Sequence, residues 1–208
     1  MRKSRAVTPR IFTGGSVSTN GYLLESDQGL LIIDAPEGIA EVVRASGLPP
    51  IALLLTHQHF DHVEDAAELA RMGAAIHAFA QWHPDLILDV AARRWGLPIK
   101  VEPYTVDHLL EGRNALSLGG FHFSLLPVPG HSPDSLVFHL PEHALAFGGD
   151  TLFAGSIGRT DLPGGRHGQL LEGIREKLFT LPPETRILPG HGPATSIGQE
   201  LTSNPYLQ

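Results

Sequence analysis

The stretch Ile51-Ala52-Leu53-Leu54-Leu55-Thr56-His57-Gln58-His59-Phe60-Asp61-His62 divides into an apolar run and a polar cluster. Residues 51–56 have the length of one strand, and a run without alternation reads as a strand buried on both faces, in a sheet covered by helices. Beyond the cluster, Val63, Ala66, Ala67, Leu69 and Ala70 return at helical spacing, which predicts a helix over residues 63–72. The cluster therefore lies on a strand-to-helix loop, with three imidazoles and a carboxylate inside six positions. No single face of a helix or strand accommodates all four as structural side chains.

Outward from that loop, residues 16–25 and 29–34 read as a hairpin turning at Ser26-Asp27-Gln28. Residues 37–46 read as a helix stopped by Gly47 and Pro49-Pro50. Further strands are expected over residues 74–79, 121–128, 135–140, 144–147 and 186–188, and helices over 84–95, 170–178 and 198–203. His131, Asp150 and His191 each follow the C-terminal end of an expected strand, as His57 does. Strand ends along one edge of a sandwich converge in space, and α/β folds build their sites there.

The chain has 208 residues, 42% hydrophobic and 18% charged, which predicts one domain over residues 1–208 with a substantial core. Fifteen Lys and Arg against 22 Asp and Glu leave a formal charge of -7, which disfavours a nucleic-acid partner. There is no cysteine, so disulfides, a Cys nucleophile, Cys-ligated zinc and iron–sulfur clusters are excluded together. The basic start MRKSRAVTPR does not lead into the apolar stretch of a secretion signal. The longest apolar runs, residues 29–33 and 51–55, fall far short of the ~20 residues that cross a bilayer. A cytoplasmic protein acting on a small molecule, without a membrane partner, is the expectation; oligomeric state is left open.

Twelve histidines are the unusual figure, because imidazole is the commonest metal ligand. The candidate ligands are His57, His59, Asp61, His62, His131, Asp150 and His191. Imidazole nitrogens and carboxylate oxygens suit Zn foremost, and Fe or Mn also. Seven ligands exceed the set of one catalytic ion, which points to two divalent metal ions with one carboxylate bridging them. Two such ions share a hydroxide of lowered pKa while one polarises a carbonyl, giving hydrolysis without a protein nucleophile. His77, His83, His108, His122, His139, His143 and His167 read as surface or satisfied core imidazoles.

The T-H-x-H-x-D-H loop at residues 56–62, followed by single His131, Asp150 and His191, resembles the metallo-β-lactamase superfamily. The resemblance runs from Asp34 to the terminal Asn204-Pro205-Tyr206-Leu207. It implies an αββα sandwich, an α/β (α+β) fold of two mixed sheets with helices on both outer faces. It also implies that His57, His59 and His131 bind the first metal, that Asp61, His62 and His191 bind the second, and that Asp150 bridges. Asp34 resembles the family's supporting aspartate beneath the metals, where it would orient ligands; read from the residues alone it is a turn residue ending a strand.

The segment 149–165, GDTLFAGSIGRTDLPGG, is similar to the glyoxalase II-like branch in its short bacterial form. That implies hydrolysis of a thioester such as S-lactoylglutathione or a related acyl thiol, with Asp61 helping to orient the nucleophile. Arg159 and Phe153 are the candidate substrate contacts; their structural alternatives are hydrogen bonds to loop carbonyls for Arg159 and packing for Phe153. Arg166-His167 stand where an acidic residue follows the double glycine in relatives. Full-length glyoxalase II proteins carry a helical C-terminal domain with basic residues that grip glutathione, whereas this chain stops at Gln208. The commonest zinc β-lactamases use a Cys ligand and the flavodiiron proteins a Glu at the His59 position, so neither is expected. Two alternatives remain: an iron-dependent persulfide dioxygenase, implied by the same loop with one ferrous ion on residues matching His57, His131 and Asp150, and a structural zinc module. Structural zinc sites are closed and usually Cys-rich, which disfavours the second.

Overall fold

The computed structural model describes residues 7–97, 99 and 101–208. Strands β1 (Arg10–Gly14), β2 (Thr19–Ser26) and β3 (Gly29–Ile33) form an antiparallel meander. Helix α1 (Ile39–Ser46) carries the chain to β4 (Pro50–Leu54), parallel to β3. Helix α2 (Ala66–Arg71) then leads to β5 (Ala75–Ala78), and helices α3 (Pro84–Ile87) and α4 (Asp89–Arg94) precede β6 (His108–Leu109). This first sheet has the order β1-β2-β3-β4-β5-β6. Strands β7 (Ala115–Leu118), β8 (Phe121–Pro127), β9 (Leu136–Leu140) and β10 (Leu145–Gly149) follow. A small hairpin, β11 (Leu152–Phe153) and β12 (Ser156–Ile157), and helix α5 (His167–Gly173) come next. The chain ends through β13 (Arg186–Pro189), β14 (Thr195–Ser196) and α6 (Ile197–Ser203). The second sheet has the order β14-β13-β10-β9-β8-β7, antiparallel except where β13 runs parallel to β10.

Side-chain alternation along buried strands sorts the core into three apolar layers. Leu23, Ile32, Leu53 and Ile76 face out from the first sheet against Ile39 and Val43 of α1 and Leu69 of α2. Tyr22, Leu24, Leu31 and Leu54 face inward and meet Phe123, Phe138 and Phe147 of the second sheet. Val137, Ala146 and Ile187 face out from that sheet against Leu170, Ile174 and Ile197. Two mixed sheets with helices on both outer faces form the αββα sandwich that the sequence predicts.

The differences lie where local pattern is weak. The helix expected over residues 84–95 breaks in two at Leu88, which adopts φ 58 and separates α3 from α4. The helix expected over 63–72 shortens to α2, because residues 60–62 wind as a single 3-10 turn. Residues 170–178 widen from α5 into a π turn over Ile174–Leu178. Strands β1, β6, β7, β11, β12 and β14 escape the sequence reading; β1 and β14 are sheet edges, and β6, β11, β12 and β14 have two residues each.

His77, on β5 between two residues of the outer layer, is buried with its Nδ1 unpartnered and stacks on His108 at 4.4 Å. Burial foremost, then His108, outweighs Asp107 and brings its imidazole down to about 4; Arg113 acts in the same direction. The unfolded chain therefore binds the proton more readily between pH 6.5 and 4, and stability falls as pH falls through that window. His77→Phe keeps the stack and removes the proton site, so its Tm declines less between pH 6.5 and 4 than that of the parent, measured by thermal denaturation of both proteins.

Candidate metal centre

The ends of four strands meet along one edge of the sandwich. β4 delivers residues 56–62, β8 leads to His131, β10 to Asp150 and β13 to His191. The 3-10 turn Phe60–His62 reverses the chain, so that Asp61 and His62 join His57 and His59 on the same side. Ligand atoms of His57, His59 and His131 lie within 4.8 Å of one another, and so do those of Asp61, His62 and His191. A third set, His57, His62 and Asp150, joins the two. All seven sequence candidates are therefore gathered in one cluster.

Each of four imidazoles has its Nδ1 tied to oxygen on the side away from the cluster, which leaves Nε2 pointing in. His62 Nδ1 donates to Asp34 Oδ2 at 2.8 Å, and His131 Nδ1 donates to the Arg159 carbonyl at 2.8 Å. His57 Nδ1 lies 3.2 Å from the Thr56 hydroxyl, which itself donates to Asp34 Oδ2 at 2.7 Å. His191 Nδ1 reaches the Ser18 carbonyl at 3.4 Å. Acceptors at Nδ1 select the tautomer whose Nε2 lone pair is free to bind a metal. Asp34 thus orients two of the histidines.

Close approach is enforced by glycine. A Cβ at Gly190 would collide with Asp150 Oδ1 and the His62 ring, and one at Gly149, with φ 50, would collide with the Thr56 hydroxyl. The start of β2 clamps the 189–192 turn: Asn20 N–H donates to the Gly190 carbonyl at 2.7 Å, its Nδ2 to Pro189 and Gly192, and Tyr22 Oη to Pro189 at 2.6 Å. Thr19 Oγ1 donates to Asp61 Oδ2 at 2.6 Å. A second brace links the two loops bearing His59 and His131. Gln58 Nε2 donates to Asp134 Oδ2 at 3.2 Å, Tyr104 Oη to Gln58 Oε1 at 2.9 Å, and Ser132 Oγ to Asp134 Oδ1. Sequence reading missed these residues; the one signal for Thr19 and Asn20 is a polar pair opening an otherwise apolar strand.

Burial first, then neighbouring imidazoles, push His57 well below the ordinary imidazole range and His59 down to about 3, so both are neutral donors. Burial would raise Asp61 and Asp150, but His62 and His191 outweigh it, holding Asp61 at about 2 and Asp150 well below the usual carboxylate range. Burial would lower His62 and His191 in turn. The carboxylates of Asp61, Asp34 and Asp150 raise His62 well above its ordinary value, and Asp150 and Asp61 raise His191 to about 10. His191 Nε2 stands 3.2 Å from Asp61 Oδ2 and 3.4 Å from Asp150 Oδ2. Nε2 of His57, His62 and His131 and Oδ1 of Asp150 are nevertheless buried without a hydrogen-bond partner. Each orphaned group costs about 1–3 kcal/mol unless something else satisfies it, and this donor set is the one divalent metal ions take. The residues fit such ions.

A cavity of 190 Å³ opens onto the cluster, with His59, Asp61, His131, Asp150 and His191 at its floor. Arg159 is on its wall, but its side chain bonds no carbonyl of its loop: it takes Asp161 bidentately at 2.8 and 2.7 Å and lies over Trp95. Phe153 is not in the lining; its ring packs 6.3 Å from His191. Leu88, Trp95 and Leu97, which line the cavity, carried no signal that separated them from core residues.

Asp34→Asn removes an acceptor shared by the Thr56 hydroxyl and His62 Nδ1. Zinc titration of the metal-free protein is expected to show affinity lowered about 10–100-fold, the usual effect of losing a ligand's orienting partner.

The family model of the metallo-beta-lactamase superfamily matches residues 14–191. YqgX of Bacillus subtilis, described as a probable metallo-hydrolase, is 40% identical over 200 residues, 93% of this chain and 94% of its own. The hydroxyacylglutathione hydrolase GloC of Haemophilus influenzae is 42% identical over 159 residues, 74% of each chain. The crystal structure of BLEG-1, a B3 metallo-beta-lactamase, matches with a TM-score of 0.86 at 37% identity, over 96% of this chain and 99% of its own. Geometry, donor chemistry and these likenesses agree, and the chain belongs to the metallo-beta-lactamase superfamily, with the features of a metallo-hydrolase.

Proposed function

We propose that the protein hydrolyses a thioester of a small acyl thiol at a centre of two divalent ions, zinc foremost, with iron or manganese as alternatives. The observation that carries this reading is the pair of ligand sets at the floor of a cavity whose described lining offers no Ser, Thr or Lys as a nucleophile. With no cysteine in the chain, the attacking group is water. His57, His59 and His131 would hold one ion, Asp61, His62 and His191 the other, with Asp150 between them. Bound there, such ions supply hydroxide at neutral pH and polarise a carbonyl.

The chain's own groups then position the reaction. Asp61, ionised and fixed by the Thr19 hydroxyl, accepts a hydrogen bond from the water and holds its oxygen toward the acyl carbon, while the proton that the water gives up ends on the departing thiolate. The water oxygen bonds to that carbon, the carbon–sulfur bond breaks, and the products are a carboxylic acid and a thiol. The name of GloC supports a thioester, and that of BLEG-1 brings a β-lactam amide into the test panel.

The test is loss of thioester absorbance with S-lactoylglutathione and other acyl thiols, and loss of amide absorbance with a β-lactam, using protein reloaded with zinc, iron or manganese. Asp150→Ala is expected to lose metal and turnover together, and Asp61→Asn to lower kcat about 100-fold or more. A metal-free Asp150→Ala protein that still turns over overturns the mechanism. Oxygen uptake with glutathione persulfide at one iron per chain, without thioester cleavage, replaces the hydrolase with a dioxygenase.

A further inference from the structure

Among the described residues, the cavity wall above the cluster is apolar, and its one cation is paired. Leu88, Trp95 and Leu97 come from the segment around α3 and α4, Val17 from the β1–β2 turn and Leu162 from the loop after β12. Leu88 breaks the helix in a left-handed conformation that a branched side chain seldom adopts, and its side chain goes to this wall. Trp95 is 52% exposed and Val17 37%, so large apolar surface stands open at the mouth of a polar site. Among the described lining residues Arg159 is the one Lys or Arg, and Asp161 neutralises it through two hydrogen bonds. Its guanidinium sits 5.8 Å from the Trp95 ring centroid and buttresses that ring. Among the described residues of this wall, none is left to grip the carboxylates of a charged thiol.

We propose that this wall is the acyl subsite, that it takes an uncharged aliphatic or aromatic acyl group, and that Trp95 determines its specificity. A cavity of 190 Å³ is larger than the ~150 Å³ that takes up a benzene ring, so it has room for an acyl chain or ring of about six carbons. The inference rests on the thioester-hydrolase reading and narrows it: hexanoyl and benzoyl groups bind better than acetyl or lactoyl, whatever the thiol.

The experiment measures kcat/KM for S-acyl-N-acetylcysteamine thioesters from acetyl to octanoyl, for the benzoyl thioester and for S-lactoylglutathione, with the metal-loaded full chain. The expected result is a rise of about tenfold or more from acetyl to hexanoyl, given the transfer free energy of each methylene, carried mainly by KM. Trp95→Ala brings the hexanoyl-to-acetyl ratio to within about threefold, and Trp95→Phe retains most of it. Metal content and Tm of both variants are measured alongside, to separate loss of the wall from loss of the fold. Binding is read independently of turnover in a Trp82→Phe background, where Trp95 is the remaining tryptophan, as a saturable fluorescence change with the thioether S-hexyl-N-acetylcysteamine. Thioether binding without cleavage of any thioester supports the subsite and overturns the hydrolase. Higher kcat/KM for lactoylglutathione than for every apolar acyl group, a flat chain-length series, or no fluorescence change overturns the subsite.

Discussion

The Asp34 carboxylate accepts the Thr56 N–H at 2.8 Å, the Thr56 hydroxyl at 2.7 Å and His62 Nδ1–H at 2.8 Å, while its residue is 1% exposed. Its own N–H donates to the Leu54 carbonyl, so the residue is sewn to the end of β4 by its backbone as well as its side chain. Asp34 sits at φ 59, a left-handed conformation that Asp tolerates better than most residues and that turns the carboxylate beneath the loop. From this one group the order spreads: Thr56 passes it to His57, His62 receives it directly, and Gly149 and Gly190 can approach because both neighbours are fixed. A buried carboxylate with three donors is a rigid support; without them the same charge would be costly to bury.

The cluster above that support is poised against itself. Imidazoles 4.1–4.9 Å apart cannot all be charged, and His57 and His59 answer by staying neutral, while His62 and His191 answer by pairing with carboxylates. The result is a site with four buried atoms that have no hydrogen-bond partner and that a cation would satisfy, so that metal affinity and fold stability are linked quantities. Strain is kept in the same neighbourhood. Of the four non-glycine residues with positive φ among the described residues, Ser18, Asp34 and Leu88 each touch the site, and only Ala144 does not. The packed sandwich over-determines these three conformations, which is how an unfavourable backbone persists.

Much of this was legible because chemistry restricts the residue types that serve it. Three imidazoles and a carboxylate on one short loop, after an apolar strand, announce both the loop and its purpose, and His131, Asp150 and His191 declare themselves by standing at strand ends. The sandwich follows from the same strands, since β3, β9 and β10 are buried throughout and β4 at every position but Ile51, and β3 and β4 read as unbroken apolar runs. Edge strands gave less, because β1 is exposed along much of its length and pairs on one side. The break at Leu88 was hidden because neither a Gly nor a Pro marks it, and helical spacing continues across it. Thr19, Asn20, Gln58, Tyr104 and Asp134 act through partners distant in sequence, as with Asn20 and Pro189, and no local pattern records such a partner.

The same reasoning explains why specificity was harder to read than reaction type. A metal ligand must be one of few residues, but a pocket wall needs only apolar bulk, and Leu88, Trp95 and Leu97 look in sequence like any core residue. What distinguishes them is placement: a left-handed Leu88 ends one helix short, α4 restarts from it, and the residue closing α4, Trp95, stands against Arg159 at the mouth of the cavity. In sequence Arg159 reads either as a substrate contact or as a brace to loop carbonyls. In the fold its charge is taken by Asp161, its carbonyl steadies His131, and its flat face supports a tryptophan. One residue thus ties the metal centre to the wall beside it, so a change in the wall reaches the His131 side of the centre through the backbone of that loop.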